Sequence, residues 1–129
     1  MLVIDDNEEP RRAIRKMLEA LVGATVMEAE SSAQAFELAT QHDFDLVTSD
    51  LARQPMNGHK FLAAFKNIRP NVPVIILSAV LDVGDNRERA LALGAFGCLD
   101  KPFTAQQLMD LVGDALGLES SRGWRDPWA

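Results

Sequence analysis

Val74-Ile75-Ile76-Leu77-Ser78 is the stretch of this 129-residue chain that decides its fold. Four apolar residues in a row, three of them β-branched, suit a central strand covered on both faces and not a half-exposed one. On either side, short runs rich in Val, Ile and Leu alternate with helical patterns along almost the whole chain, the signature of a parallel sheet with helical crossovers. The pattern repeats five times.

Upstream, Leu2 to Asp5 reads as the first strand. A helix follows that Asn7 can cap, with Pro10 in its first turn and Ala13, Ile14, Met17, Leu18 and Leu21 on one face, ended by Gly23. Thr25 to Ala29 alternates Val26 with Glu28 as an edge strand does, and Ser31 with Gln34 forms a capping box for a helix through Thr40. Leu46 to Ser49 is the third strand, and a loop through Pro55 leads to a helix with a Phe61, Leu62, Phe65 and Ile68 stripe, closed by Pro70 and Pro73. Downstream, Asp85 to Leu93 is a short charged helix stopped by Gly94, and the weakest of the helices. Phe96 to Leu99 is the fifth strand, and Thr104 with Gln107 caps a last helix that turns Leu108, Leu111, Val112, Ala115 and Leu116 inward. One domain is expected over residues 1–118, with 119–129, which holds Trp124 and Trp128, a polar tail or linker stub.

Composition narrows the function. The net charge of -6 argues against direct nucleic-acid binding by this domain, which rests on clustered Lys and Arg. The single cysteine, Cys98, excludes an internal disulfide framework and fits a reducing, cytoplasmic setting, with Cys98 itself a small core residue. No signal peptide opens the chain and no apolar run spans a bilayer, so a membrane location is not expected. His42 and His59, lacking partners at metal-ligand spacing, are expected at the surface.

In an open parallel sheet, ligands bind outside the carboxyl ends of the strands, where strand order reverses. Those ends carry Asp5-Asp6, Asp50, Ser78 and Asp100-Lys101-Pro102. Clustered carboxylates repel one another and need a cation, and oxygen ligands on a rigid edge suit Mg2+. Lys101 adds a fixed charge and Ser78 a hydroxyl. Such a site stabilises a phosphoryl group in transit, with Asp50 the natural in-line nucleophile and Asp5 and Asp6 holding the metal. Each residue alone has a plain structural role: Asp6 as a cap, Ser78 as a turn hydroxyl, Lys101 and Asp100 as surface charges. It is their conjunction at strand ends that points to phosphoryl chemistry.

These residues resemble the receiver domain of bacterial two-component response regulators over nearly all of residues 1–118. The match rests on Leu2-Val3-Ile4-Asp5-Asp6-Asn7, Asp50-Leu51 with Gly58, Val74 through Ala79, Gly94-Ala95 and Lys101-Pro102-Phe103. The resemblance implies a flavodoxin-like doubly wound sheet, ordered 2-1-3-4-5 with helices on both faces, and transfer to Asp50 from a phosphohistidine on a sensor histidine kinase or histidine phosphotransfer protein. It also implies Mg2+ ligation by Asp6, Asp50 and the backbone carbonyl of Ala52, with Asp5 acting largely through water. Lys101 would contact the phosphoryl group, Ser78 would swing toward it, small Ala79 would leave its amide approachable, and the Lys101–Pro102 bond can be cis. The output partner is not legible, and a stand-alone domain or a piece of a hybrid kinase or larger regulator would look the same.

Three departures stand out. Arg53-Gln54 replaces the usual Met-Pro, with Pro55 one position late. Cys98 replaces the usual switch aromatic. Ala52 and Val80 sit where side chains influence attacking water, which predicts slow autodephosphorylation. Phosphorylation is expected to act through the fourth strand, fourth helix and fifth strand, with the fourth helix, entered through Val83-Gly84-Asp85, the least stable element. Two competing functions are a phosphate-independent receiver-like adaptor, motivated by Cys98 and the altered loop, and an Mg2+-dependent aspartyl-phosphate hydrolase. The second lacks a carboxylate two residues after the nucleophile, where Ala52 stands. A flavin-binding protein needs a Ser/Thr- and Gly-rich loop after the first strand, and Asp5 to Pro10 offers acids.

Overall fold

Apolar runs and helical stripes resolve into five strands and five helices in a computed structural model, which describes residues 1–23, 25–51, 58–78 and 86–117. Ala52, the Arg53-Gln54-Pro55 loop, Ala79, Val80, the Val83-Gly84-Asp85 entry and the tail 119–129 lie outside the described residues. The order is β1 (Leu2–Ile4), α1 (Glu8–Val22), β2 (Met27–Ala29), α2 (Ser32–Gln41), β3 (Val47–Asp50), α3 (Gly58–Ile68), β4 (Val74–Ser78), α4 (Asn86–Ala92), β5 (Gly97–Asp100) and α5 (Ala105–Ala115). The strands are all parallel and ordered β2-β1-β3-β4-β5, so strand order reverses between β1 and β3. This is the flavodoxin-like doubly wound arrangement.

Val74 to Ser78 is buried at every position, as its unbroken apolar run requires of a strand flanked by β3 and β5 and covered on both faces. One core layer joins Leu2, Ile4, Val47, Val74 and Ile76 to Ala35 and Ala39 of α2, Phe61, Leu62 and Phe65 of α3, and Ala90 of α4. The opposite layer joins Val3, Leu46, Ile75 and Leu77 to Ile14 and Leu18 of α1 and Leu108 and Val112 of α5. Alternation along β1 and β4 thus feeds both layers. Phe36, Phe61 and Phe65 cluster in the first layer, with the Phe61 and Phe65 rings stacked at a centroid distance of 5.3 Å and Phe36 tilted against Phe61.

Local signals set the ends. Gly23 caps α1 at φ 69° and Gly94 follows α4 at φ 106°, backbone that only glycine adopts cheaply. At α5 the Thr104 and Gln107 capping box is complete. At α2 the Ser31 hydroxyl accepts from the Gln34 amide, but the Gln34 side chain reaches back to the Glu30 amide, one residue earlier than in a regular box.

Several expectations change. The Asn7 side chain makes no capping bond. Its backbone amide donates to the Asp5 carboxylate instead. β2 starts at Met27, because it pairs only with β1, which itself starts at Leu2. Ile68, at the end of α3, is 44% exposed and off the core stripe. Ala13 is also exposed, lining an apolar groove with Pro10, Ile14, Met17 and Phe103 that runs to Lys101. His59 is buried, against expectation, with Nε2 3.4 Å from Asn86 Oδ1, because the start of α3 packs against α4; His42 is exposed. Cys98 is buried in the core, and burial pushes its thiol pKa up. No helix among the described residues is long and apolar enough to cross a membrane.

Candidate functional site

β1 and β3 are neighbours, so their carboxyl ends deliver Asp5, Asp6 and Asp50 to the switch point of the sheet. One carboxylate oxygen from each lies within 4.8 Å of the other two. Asp5 is buried, Asp6 is exposed, and the Asp50 side chain is 12% exposed. β5 ends in Asp100, and the next residue, Lys101, sends Nζ to 3.5 Å from Asp50 Oδ1 and 3.7 Å from Asp5 Oδ2. The Lys101–Pro102 bond is cis.

Ser78 is buried at the end of β4, one residue beyond the register partner of Asp50, and its carbonyl accepts the Lys101 amide at 3.0 Å. The site residues at Asp5, Asp6, Asp50, Ser78 and Lys101 thus come from four adjacent strand ends, while Ala52 lies outside the described residues. Asp100 is exposed and takes no part, its carboxylate paired with Arg87 at 3.1 Å.

Burial drives the Asp50 carboxyl above the usual carboxylate range; Lys101 opposes the rise, and Asp5 and Asp6 add to it. Asp5 Oδ1 accepts the Asn7 amide at 2.9 Å, but Asp5 Oδ2 is buried with no hydrogen-bond partner. A buried carboxylate oxygen without a donor is costly. Three converging carboxylates against one ammonium, with an orphaned oxygen among them, are the donor set of a hard divalent cation, and the residues fit one.

Two arginines escaped the reading of the sequence. Arg87 of α4 donates to the Cys98 carbonyl and pairs with Asp100, spanning the position where Cys98 replaces the usual switch aromatic. Arg11 of α1 donates to the Asp5 carbonyl at 3.1 Å and to Glu28 at 2.7 Å. The only local sign of the latter was an outward acid, Glu28, on an edge strand beside a basic helix face.

Residues 1–113 match the family model described as response regulator receiver domain. The chain is 33% identical over 118 residues to the response regulator protein FleR of Pseudomonas aeruginosa, covering 91% of this chain and 24% of that protein. It is 28% identical over 116 residues to the chemotaxis protein CheY of Halobacterium salinarum, covering 90% of this chain and 95% of that one. A crystal structure of a response regulator receiver domain protein from Clostridium thermocellum superposes with a TM-score of 0.82 at 34% identity, over 90% of this chain and 92% of that one. The chain spans about a quarter of the length of the larger regulators it matches. With order, register and acidic strand ends in agreement, this chain belongs to the response regulator receiver domain family of two-component signal transduction.

Proposed function

We propose that this domain accepts a phosphoryl group on Asp50 from a phosphohistidine of a sensor histidine kinase or histidine phosphotransfer protein, in a Mg2+-dependent reaction, and switches an interaction surface in response. Phosphorylation on aspartate is characteristic of the family, and receiver domains bind Mg2+ at an acidic pocket. The observation that carries the reading for this chain is the convergence of Asp5, Asp6 and Asp50 within 4.8 Å, with Lys101 3.5 Å from Asp50.

An Asp50 carboxylate oxygen forms the new O–P bond as the P–N bond to the donor imidazole breaks. The bonding pair leaves with the imidazole nitrogen, which regains a proton from solvent. Lys101 holds the Asp50 carboxylate and offers its ammonium to the oxygens of the incoming group. Asp6 and Asp50, with Asp5 largely through water and, as the family resemblance implies, the Ala52 carbonyl, would hold the cation, which when bound would supply positive charge to the phosphoryl oxygens. Ser78 supplies a hydroxyl toward the acyl phosphate, and drawing Ser78 and Lys101 inward shifts β4, α4 and β5. The domain acts as a regulated binding module and not as a turnover enzyme, in a cytoplasmic setting and without direct contact to nucleic acid or membrane. Its output partner is a protein that distinguishes the two states.

Intact-mass spectrometry after incubation with Mg2+ and acetyl phosphate tests the acceptor. An adduct of about 80 Da, labile to hydroxylamine and absent from Asp50→Ala, is the expected acyl-phosphate signature. No adduct, under conditions that modify another receiver domain, favours a phosphate-independent adaptor, with Arg53, Gln54 and Cys98 the first residues to test.

A further inference from the structure

Asp5 is the hinge between the last paired residue of β1 and the acidic turn, and it is tethered three ways. Its amide donates to the Ala29 carbonyl at 3.1 Å, and its carboxylate accepts the Asn7 amide at 2.9 Å. Its carbonyl has passed the end of the strand ladder and accepts Nη1 of Arg11 at 3.1 Å. Arg11 is itself fixed: its side chain is 13% exposed and its Nε donates to Glu28 of β2 at 2.7 Å. Arg15, one turn along the same helix, pairs with the other oxygen of Glu28 at 3.0 Å. Glu28 thus anchors two arginines of α1, and Arg11 alone carries that anchor on to the peptide joining Asp5 to Asp6.

We infer that Arg11 is a positioning residue for the acidic pocket: by gripping the Asp5 carbonyl it fixes the directions of the Asp5 and Asp6 carboxylates, and so sets the affinity of the site for Mg2+. The inference rests on the function proposed above. Its sign separates it from a charge effect. A cationic side chain at the edge of the acidic pocket opposes the entry of a metal cation, so removal of charge alone tightens Mg2+ binding. Loss of positioning weakens it, as loss of an outer-shell partner weakens other metal sites by roughly tenfold or more. The guanidinium fork spans both partners, which a lysine ammonium does not reproduce.

The experiment is a Mg2+ titration of the full chain, followed by the backbone amide NMR shifts of Asp5, Asp6 and Asp50, for the wild type, Arg11→Met, Arg11→Lys and Arg15→Met. Melting temperatures are recorded alongside, and Arg11→Lys carries the test if Arg11→Met fails to fold. The expected result is Mg2+ binding roughly tenfold weaker in both Arg11 variants, and unchanged or slightly tighter in Arg15→Met, which loses the same charge without touching Asp5. Unchanged or tighter binding in Arg11→Met, wild-type binding in Arg11→Lys, or equal weakening in Arg15→Met overturns the inference. A wild type that shows no Mg2+-dependent shifts overturns the phosphoacceptor reading first, and the inference with it.

Discussion

Replacing Asp50 by Asn keeps the shape of the side chain, removes one carboxylate from the cluster, and makes the metal-free protein more stable at neutral pH. At an effective dielectric of about 20, a carboxylate at the 4.8 Å limit of the cluster repels Asp50 by about 3.5 kcal/mol, and Lys101 at 3.5 Å attracts it by about 4.7 kcal/mol. Asp6 is exposed and its repulsion is screened, so the two repulsions do not outweigh Lys101, and it is burial of the charged Asp50 side chain, the largest cause of its raised pKa, that leaves about 1 kcal/mol unfavourable. Burial of Asp50 acts in the same direction as the repulsion, consistent with its raised pKa. A gain of about 1 kcal/mol corresponds to roughly 3–5 °C in melting temperature for a domain of this size.

The pH dependence has a definite sign. Because the folded pKa is raised, the folded state binds more protons than the unfolded state between the two pKa values, so wild-type stability falls as pH rises through the folded value. The advantage of Asp50→Asn is therefore small near the unfolded carboxylate value of about 3.9 and grows toward neutrality. Thermal denaturation in EDTA, followed by circular dichroism between acid and neutral pH, reads this directly. Adding Mg2+ at ten times its dissociation constant stabilises the wild type by about 1.4 kcal/mol and the variant by less, which narrows the gap. A variant no more stable than the wild type in EDTA at neutral pH would refute the conclusion that the buried Asp50 charge destabilises the metal-free fold.

Lys101→Met has the opposite sign: with the ammonium that faces Asp5 and Asp50 removed, the metal-free protein should lose about 1–3 kcal/mol in urea denaturation and recover part of it in Mg2+. Gly97→Ala drives a Cβ to 2.7 Å from Leu111 Cδ1, and since the partly exposed Leu111 can shift, a loss of about 1 kcal/mol is expected from the same assay. Thr104→Ala removes the hydroxyl half of the α5 capping box and should cost about 1 kcal/mol, with Thr104→Ser retaining most of it. Ala52 and Val80 carry no group able to hold an attacking water, so the acyl phosphate should persist for minutes or longer once donor is removed; decay within seconds, followed by intact mass, would contradict that.

Much of the site was legible because its residues sit at the ends of strands that announce themselves. The run Val74 to Leu77 suits a doubly covered strand, and the acids of Asp5-Asp6 and Asp50 each close a strand, so a parallel sheet sends them to one edge. The Thr104 box and the glycine stops at Gly23 and Gly94 were readable because they are satisfied within a few residues of chain. Periodicity reports which face of a helix is apolar but not how far the covering neighbour extends. For that reason Ile68 and Ala13, on apolar stripes, are exposed, and polar His59 is buried.

By itself the sequence determined the alternation of elements, the acidic strand ends, and the resemblance that predicted the order 2-1-3-4-5. Only the tertiary structure decided that Asp5 Oδ2 is buried without a hydrogen bond, that Lys101 sits at ion-pair distance from both Asp5 and Asp50, and that Arg11 and Arg87 donate to the carbonyls of Asp5 and Cys98. The physical reason is range. Caps and turns are settled by backbone groups a few residues apart, whereas these contacts join residues brought together by strand register and helix packing, which no local pattern encodes.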